Sequence, residues 1–406
     1  MLSLSTSTRR AAAAAALLVA ATACAAPLQA QEGGLRVGAG RLHPSIEGEG
    51  RYDSFAMRTP DGVVRGDMVL HLRPGLKLEV PSDAMSVDLS AFGDLNYYVG
   101  LEGPSSNELS YFGGDGSLKL GINPKGFLGV DVFDTFTFSD RTSVLGLGAG
   151  IRSIFNEAGV SVPVRPGGGA LVFAPGYAFA LERFVNLLSL PPGVASPGDL
   201  NYISHRPSFR ARWAFFPRTA LVLEARGDLR QYASGANPAA SALYVQGGLS
   251  GLVTSKLSLQ LRAGYGNAFL DPASGLANFE SAIGQAELTF HVTETIKLRG
   301  GYVRTFQPVP QLGYYVDDRG SAAFEAMLGG RLQLKAEGAF DVVTYASGRT
   351  DFVSSFKGAA DLRVTRWLFL GAGYAYSLRD AGAAGGPASF FDYDRHEAWG
   401  KLTLSY

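Results

Sequence analysis

Five histidines, at positions 43, 71, 205, 291 and 396, are the residues best suited to acid–base or metal chemistry, and their scatter supports neither. None forms a His-Glu-x-x-His pair or another spacing that a metal needs. No Gly-x-Ser-x-Gly elbow presents a nucleophile, and His205 with Ser208 is the nearest approach to a hydrolase-like pair. Asp317-Asp318 is a paired carboxylate that reads as part of a polar loop, solvating it or holding a divalent ion loosely. The only cysteine is Cys24. Residue types and spacings therefore point away from an enzyme, and no cofactor is expected.

A second set of chemistry-bearing residues recurs at every other position. Arg210 and Arg212 form one such row, then Glu224, Arg226, Asp228 and Arg230, then Arg262, then Lys297 and Arg299, then Lys335 and Glu337. The intervening positions are apolar: Leu257, Leu259, Leu261, Ala263 and Tyr265 in one segment, Leu332, Leu334, Ala336, Gly338 and Phe340 in another, Leu221, Leu223, Ala225 and Leu229 in a third. A period of two puts the charges on one face of a strand and the apolar side chains on the other. Lining a wet channel, the charged rows would steer an anionic polymer through Arg and Lys. Alternatively, neighbouring opposite charges pair and stiffen the wall.

The elements that would position these rows are strands joined by alternating short and long connections. Eight short polar turns are expected, at Arg73-Pro74-Gly75, Asn123-Pro124-Lys125, Arg165-Pro166-Gly167, Pro217-Arg218, Thr254-Ser255-Lys256, Thr293-Glu294-Thr295, Gly329-Gly330-Arg331 and Thr365-Arg366. Between them there is room for a strand out, a longer polar loop and a strand back, as in outer-membrane barrels with short periplasmic turns. Nine hairpins make about 18 strands, so the expected fold is all-β: a closed, antiparallel transmembrane β-barrel spanning 41–406, both termini periplasmic. In lipid only a closed sheet leaves no unpaired backbone edge, and a barrel of this size has a lumen wide enough for water. Trp213, Phe215, Trp367, Phe369, Tyr374 and Tyr376 fit interfacial girdles. Gly146-Leu147-Gly148-Ala149-Gly150 reads as glycine inside a strand, permitting curvature and close strand approach, and not as a nucleotide loop, since no helical pattern follows it. The apolar Leu187-Leu188-Ser189-Leu190-Pro191-Pro192 reads as a loop that folds inward as a constriction.

The chain's start has the form of a secretory leader: Arg9-Arg10, an apolar run from Ala11 to Ala23, and small residues up to Ala30. The run is too short for the roughly 20 residues of a spanning helix. Residues 1–30 are read as the signal peptide and 31–40 as a short periplasmic segment. Ala21-Thr22-Ala23-Cys24 is similar to a lipoprotein processing site but lacks Leu three places before the cysteine, so cleavage after Ala30 is favoured and the mature chain then has no thiol. The whole chain carries 36 basic and 36 acidic residues. That balance excludes the basic face that nucleic acid requires. The final strand alternates Leu402, Leu404 and Tyr406 with Lys401, Thr403 and Ser405; it resembles the terminal strand that the barrel-assembly machinery reads.

Arg41-Leu42-His43-Pro44-Ser45-Ile46-Glu47-Gly48-Glu49-Gly50-Arg51-Tyr52-Asp53-Ser54 resembles the first strand of porin-2-type outer-membrane barrels linked to exopolysaccharide secretion. Leu70-His71-Leu72-Arg73-Pro74-Gly75-Leu76-Lys77-Leu78-Glu79-Val80 and Gly129-Val130-Asp131-Val132-Phe133-Asp134-Thr135-Phe136-Thr137 are similar to the myxobacterial Wzp-type barrels of that group. The resemblance implies a passage, in the outer membrane of a Gram-negative bacterium, for a polysaccharide made by a Wzx/Wzy-type route. Its implied partners are the surrounding lipid and a periplasmic polysaccharide-export (OPX-type) protein. The alternative is a general diffusion porin or solute channel.

Overall fold

Strict apolar/polar alternation fixes the strands, and the structure, a computed structural model, describes residues 34–58, 64–101, 110–139, 152–185, 197–233, 240–270, 278–309, 313–382 and 392–406. The expected leader, the Gly146–Gly150 segment and the Leu187–Pro192 segment lie outside the described residues. In chain order the strands are β1 (Leu35–Val37), β2 (Gly40–Arg58), β3 (Val64–Val80), β4 (Met85–Tyr98), β5 (Tyr111–Ile122), β6 (Val130–Ser139), β7 (Arg152–Ser161), β8 (Leu171–Val185), β9 (Tyr202–Phe216) and β10 (Thr219–Tyr232). They continue as β11 (Ala240–Leu252), β12 (Leu257–Leu270), β13 (Phe279–His291), β14 (Ile296–Val309), β15 (Gly313–Leu328), β16 (Leu332–Tyr345), β17 (Thr350–Arg363), β18 (Leu368–Ala381) and β19 (Tyr393–Ser405).

Each strand from β2 to β19 pairs antiparallel with its sequence neighbours, and β19 returns to β2, from Ser405↔Ser45 to Glu397↔Asp53. These eighteen strands close one barrel; β1 is a three-residue addition paired to the start of β2, Leu35 opposite Leu42. The last residue is tied into the same seam, with Tyr406 N–H donating to the Pro44 carbonyl at 3.0 Å. No helix among the described residues is long and apolar enough to cross a membrane.

The apolar face is the outer one. Leu223, Leu261, Phe340, Phe356 and Leu402 are each 43–49% exposed although they stand in the middle or toward the ends of paired strands. In a soluble sandwich the same side chains would be the core. Trp213 and Trp367, each 53% exposed, lie beside the short turns, and Tyr265, Tyr302 and Tyr374 lie on the outer face farther along their strands, as aromatic girdles require. Phe369 departs from the girdle reading: it occupies the opposite face from Leu370 and pairs with Thr403.

Seven of the eight expected turns join strands as read, and the first does not. Arg73-Pro74-Gly75 lies inside β3, and the turn comes later, at 81–84. The β3–β4 ladder skips from Leu72↔Leu95 to Gly75↔Phe92. Pro74, which has no N–H to donate, sits in that skip, and Gly75 leaves the space in which the Phe92 ring lies. Pro-Gly here marks a local irregularity in a long strand, not its end.

Candidate functional site

The inner face is built by alternation alone, and each charged residue expected there lies opposite the exposed apolar ones. On β10, Glu224, Arg226, Asp228 and Arg230 face away from Leu221, Leu223 and Leu229. Arg210 and Arg212 on β9, Arg262 on β12, Lys297 and Arg299 on β14, and Lys335 and Glu337 on β16 occupy the same side of the wall. The structure brings some of them together. Glu224 lies between Arg210 (3.4 Å) and Arg262 (3.1 Å), and Arg299 lies between Glu287 (3.7 Å) and Glu325 (3.8 Å). Arg212, Lys297, Lys335 and Glu337 make no ion pair among the described residues. Three of those four are cations.

Toward the long-connection end the inner charges become buried and tightly paired. Arg230 donates to Asp228 at 3.0 Å, and Asp228 also accepts from the Ser204 hydroxyl at 2.5 Å. Arg206 approaches Asp228 at 3.7 Å and pairs with Glu157. Across the barrel Asp351, fully buried, is held by Arg379 at 2.6 Å and Arg349 at 3.0 Å, and Arg379 donates to the Tyr345 hydroxyl at 2.7 Å. Two charged clusters thus brace facing parts of the wall.

Between them the lumen is narrowed by an element that the strand pattern conceals. The β13–β14 ladder runs from His291↔Lys297 only to Gly284↔Arg304, so residues 305–309 of β14 leave their neighbour. Phe306 instead stacks on Tyr244, ring centres 4.6 Å apart, and meets Phe279 at 4.4 Å. Tyr244 is on the inner face of β11, opposite the exposed Leu243 and Leu249. The end of β14 therefore folds over the inner wall, and β15 follows it through the pair Val309↔Gly313. Two side chains accept the job of the missing ladder: Tyr244 Oη donates to the Phe306 carbonyl (3.1 Å) and Arg230 Nη1 to the Pro308 carbonyl (2.9 Å). Val309 and Tyr315, each 2% exposed, then join Phe184, Leu200 and Tyr202 of the β8–β9 side with Val343, Tyr345 and Val353 of β16 and β17. Those strands stand seven to nine places apart around an eighteen-stranded ring. The cluster spans the lumen at this end.

Phe306, Val309, Tyr315, Arg379 and Asp351 were not legible as a group in the sequence. Phe306 has the parity of Leu298 and Tyr302, which are outer residues, so alternation alone places it on the lipid side. Two chemical readings are corrected. Asp317 and Asp318 belong to β15 and not to a polar loop, and they point to opposite faces. Asp318 accepts from Tyr302 Oη (2.5 Å) and Arg304 (2.6 Å) on the outer side. His205 and Ser208 are likewise on opposite faces of β9; His205 bonds the outer Tyr177 hydroxyl at 2.5 Å. Among the described residues no three His, Cys, Asp or Glu gather as a metal site. In the terminal strand Leu402 and Leu404 are outer residues paired with Leu370 and Leu368.

A family model described as "Putative beta-barrel porin 2" matches residues 27–398. Among solved structures, OccAB3 of Acinetobacter baumannii is similar at 8% identity over 91% of this chain and 100% of that one, TM-score 0.51. The outer membrane protein opdK of Pseudomonas aeruginosa is similar at 12% identity over 90% and 99%, TM-score 0.50. OccK8 (OprE) of the same organism is similar at 9% identity over 91% and 98%, TM-score 0.51. At these identities the likeness is one of fold. No curated protein matches the chain.

Proposed function

Since the chain belongs to the beta-barrel porin 2 family, a family of outer-membrane barrel channels and not of enzymes, we propose that it is a passive diffusion channel for small hydrophilic solutes, with a preference for anions. The observation that carries this reading is the lumen itself: a charged inner wall within a closed barrel, narrowed at one end by the inward fold of β14 and β15. Water and small solutes can pass along fixed charges without any bond being made, and Arg212, Lys297 and Lys335, which pair with no acid among the described residues, raise the local concentration of anions. Both termini and the short turns face the periplasm in this reading, and the narrowed end faces outward.

The test is conductance of the purified barrel in planar bilayers, with the reversal potential taken in a salt gradient. Discrete ohmic steps with an anion-selective reversal potential are expected; a barrel that inserts and never conducts would overturn the reading.

Polysaccharide export is the second reading, and the resemblance of Arg41–Ser54 to barrels of that role favours it. A lumen narrowed by buried side chains at one end fits small solutes better than a polymer. Deleting the gene and measuring surface and periplasmic polysaccharide separately tells the two apart. Loss of surface polymer supports export, and unchanged polymer with reduced solute uptake supports the diffusion channel.

A further inference from the structure

The β13–β14 seam is left open where it could have been closed. Continuing the register that ends at Gly284↔Arg304 would set Ala282 opposite Phe306 and Phe279 opposite Val309, with no insertion or slip needed. In that arrangement Phe306 would join Leu298 and Tyr302 on the outer face, since all three share one parity of β14. Thr305, Gln307 and Val309 would then line the inside of the wall, and the cluster spanning the lumen would lose Val309. The sequence of β14 is thus compatible with two placements of its last five residues.

Each placement offers partners to the carbonyls of the strand's end. In the one seen, Tyr244 Oη and Arg230 Nη1 serve the carbonyls of Phe306 and Pro308; in the other, the β13 edge would serve the strand except at Pro308, which has no N–H to donate. The base of the moving part is pinned. Arg304, the last ladder residue, is bonded to Asp318 of β15 at 2.6 Å, and Tyr302 bonds the same carboxylate. The two strands stay paired to each other from Ile296↔Ala326 to Val309↔Gly313, and β15 is in turn paired with β16 from Tyr315↔Tyr345 to Leu328↔Leu332, so the ends of β14 and β15 would shift as one sheet edge and carry the end of β16 with them. Packed elements with two discrete arrangements are how a barrier is switched, as opposed to gradual deformation.

We propose that residues 305–309 of β14, with the start of β15, are a gate: closed when Phe306 is seated between Tyr244 and Phe279, open when β14 zips onto β13. Phe306 is the latch. The proposal rests on the channel reading for its consequence, but the motion itself has a readout that does not.

Cysteines placed at Ala282 and Phe306, in a background with Cys24→Ser, test it. Those positions are cross-strand neighbours only in the open state, whereas Ala286 and Tyr302 are neighbours already. The pair A286C/Y302C is the control. Mild oxidation should cross-link both pairs, read by mass spectrometry, and oxidised A282C/F306C should then stay at the open conductance level, whereas its reduced form, which also lacks the latch ring, should still close intermittently; the control is unchanged by oxidation. Failure of A282C/F306C to cross-link while the control does so would overturn the gate, as would a cross-link that leaves conductance where it was. If no form of the barrel conducts, the channel reading falls, while the cross-link yield still decides whether β14 moves. F306A, which keeps the strand and removes the latch, should raise open time without oxidation.

Discussion

At the scale of single residues, the inner wall separates into charges that are paired and buried and charges that are not. Asp351 has no exposed surface and is held by Arg349 and Arg379, the latter 3% exposed. Removing one partner of such a cluster leaves uncompensated charge, so Asp351→Ala should destabilise the barrel by about 3–5 kcal/mol, measured as a lower urea midpoint of the detergent-solubilised protein. Among the described residues Arg212 and Lys335 have no ion-pair partner to lose. Arg212→Glu with Lys335→Glu should leave the unfolding midpoint in place and move the reversal potential toward cations. Periodicity made those inner residues legible, because a period of two needs no knowledge of neighbours. It could not join Arg379 to Asp351, which meet only through the register of β17 and β18, nor place Phe306, whose strand leaves its ladder.

Among elements, the lesson lies in β3. Pro74-Gly75 reads as a turn by composition, and as a single residue pair it would be one. What overrides it is the neighbouring strand: Leu76, Leu78 and Val80 continue the alternation to the true turn, and Phe92 of β4 lays its ring over Gly75 with the Arg73 guanidinium 4.7 Å from the ring centre. A Cβ at Gly75 would collide with that ring. Gly75→Val should therefore cost about 1–3 kcal/mol through overpacking and show as loss of the heat-modifiable folded band on a gel. Gly116→Ala on the neighbouring β5, where the nearest atom to an added methyl is 3.5 Å away, should fold normally. The other seven turns were readable because each falls where the alternation itself stops.

At the scale of the whole molecule, closure and number of strands follow from the alternation of short and long connections, which a single sequence displays from end to end. Which way the barrel points does not follow from closure. It rests on the asymmetry of the ends: the short turns, the start of β2, Tyr406 and the exposed Trp213 and Trp367 at one end, the buried clusters and longer connections at the other. Two turns offer a direct comparison, since both carry glycine at positive φ with nothing within 4 Å of an added Cβ. Gly348 lies in the connection from β16 to β17, and Gly330 lies in the one from β15 to β16, at opposite ends of the same strand. An epitope inserted beside each glycine should be tolerated, because exposed turns absorb added residues at little cost. On intact cells antibody should stain the insertion at Gly348 and not the one at Gly330, while permeabilised cells stain for both. The reverse pattern would turn the barrel over, and would place the gate and its buried arginines on the periplasmic side, where a partner protein rather than the medium would meet them.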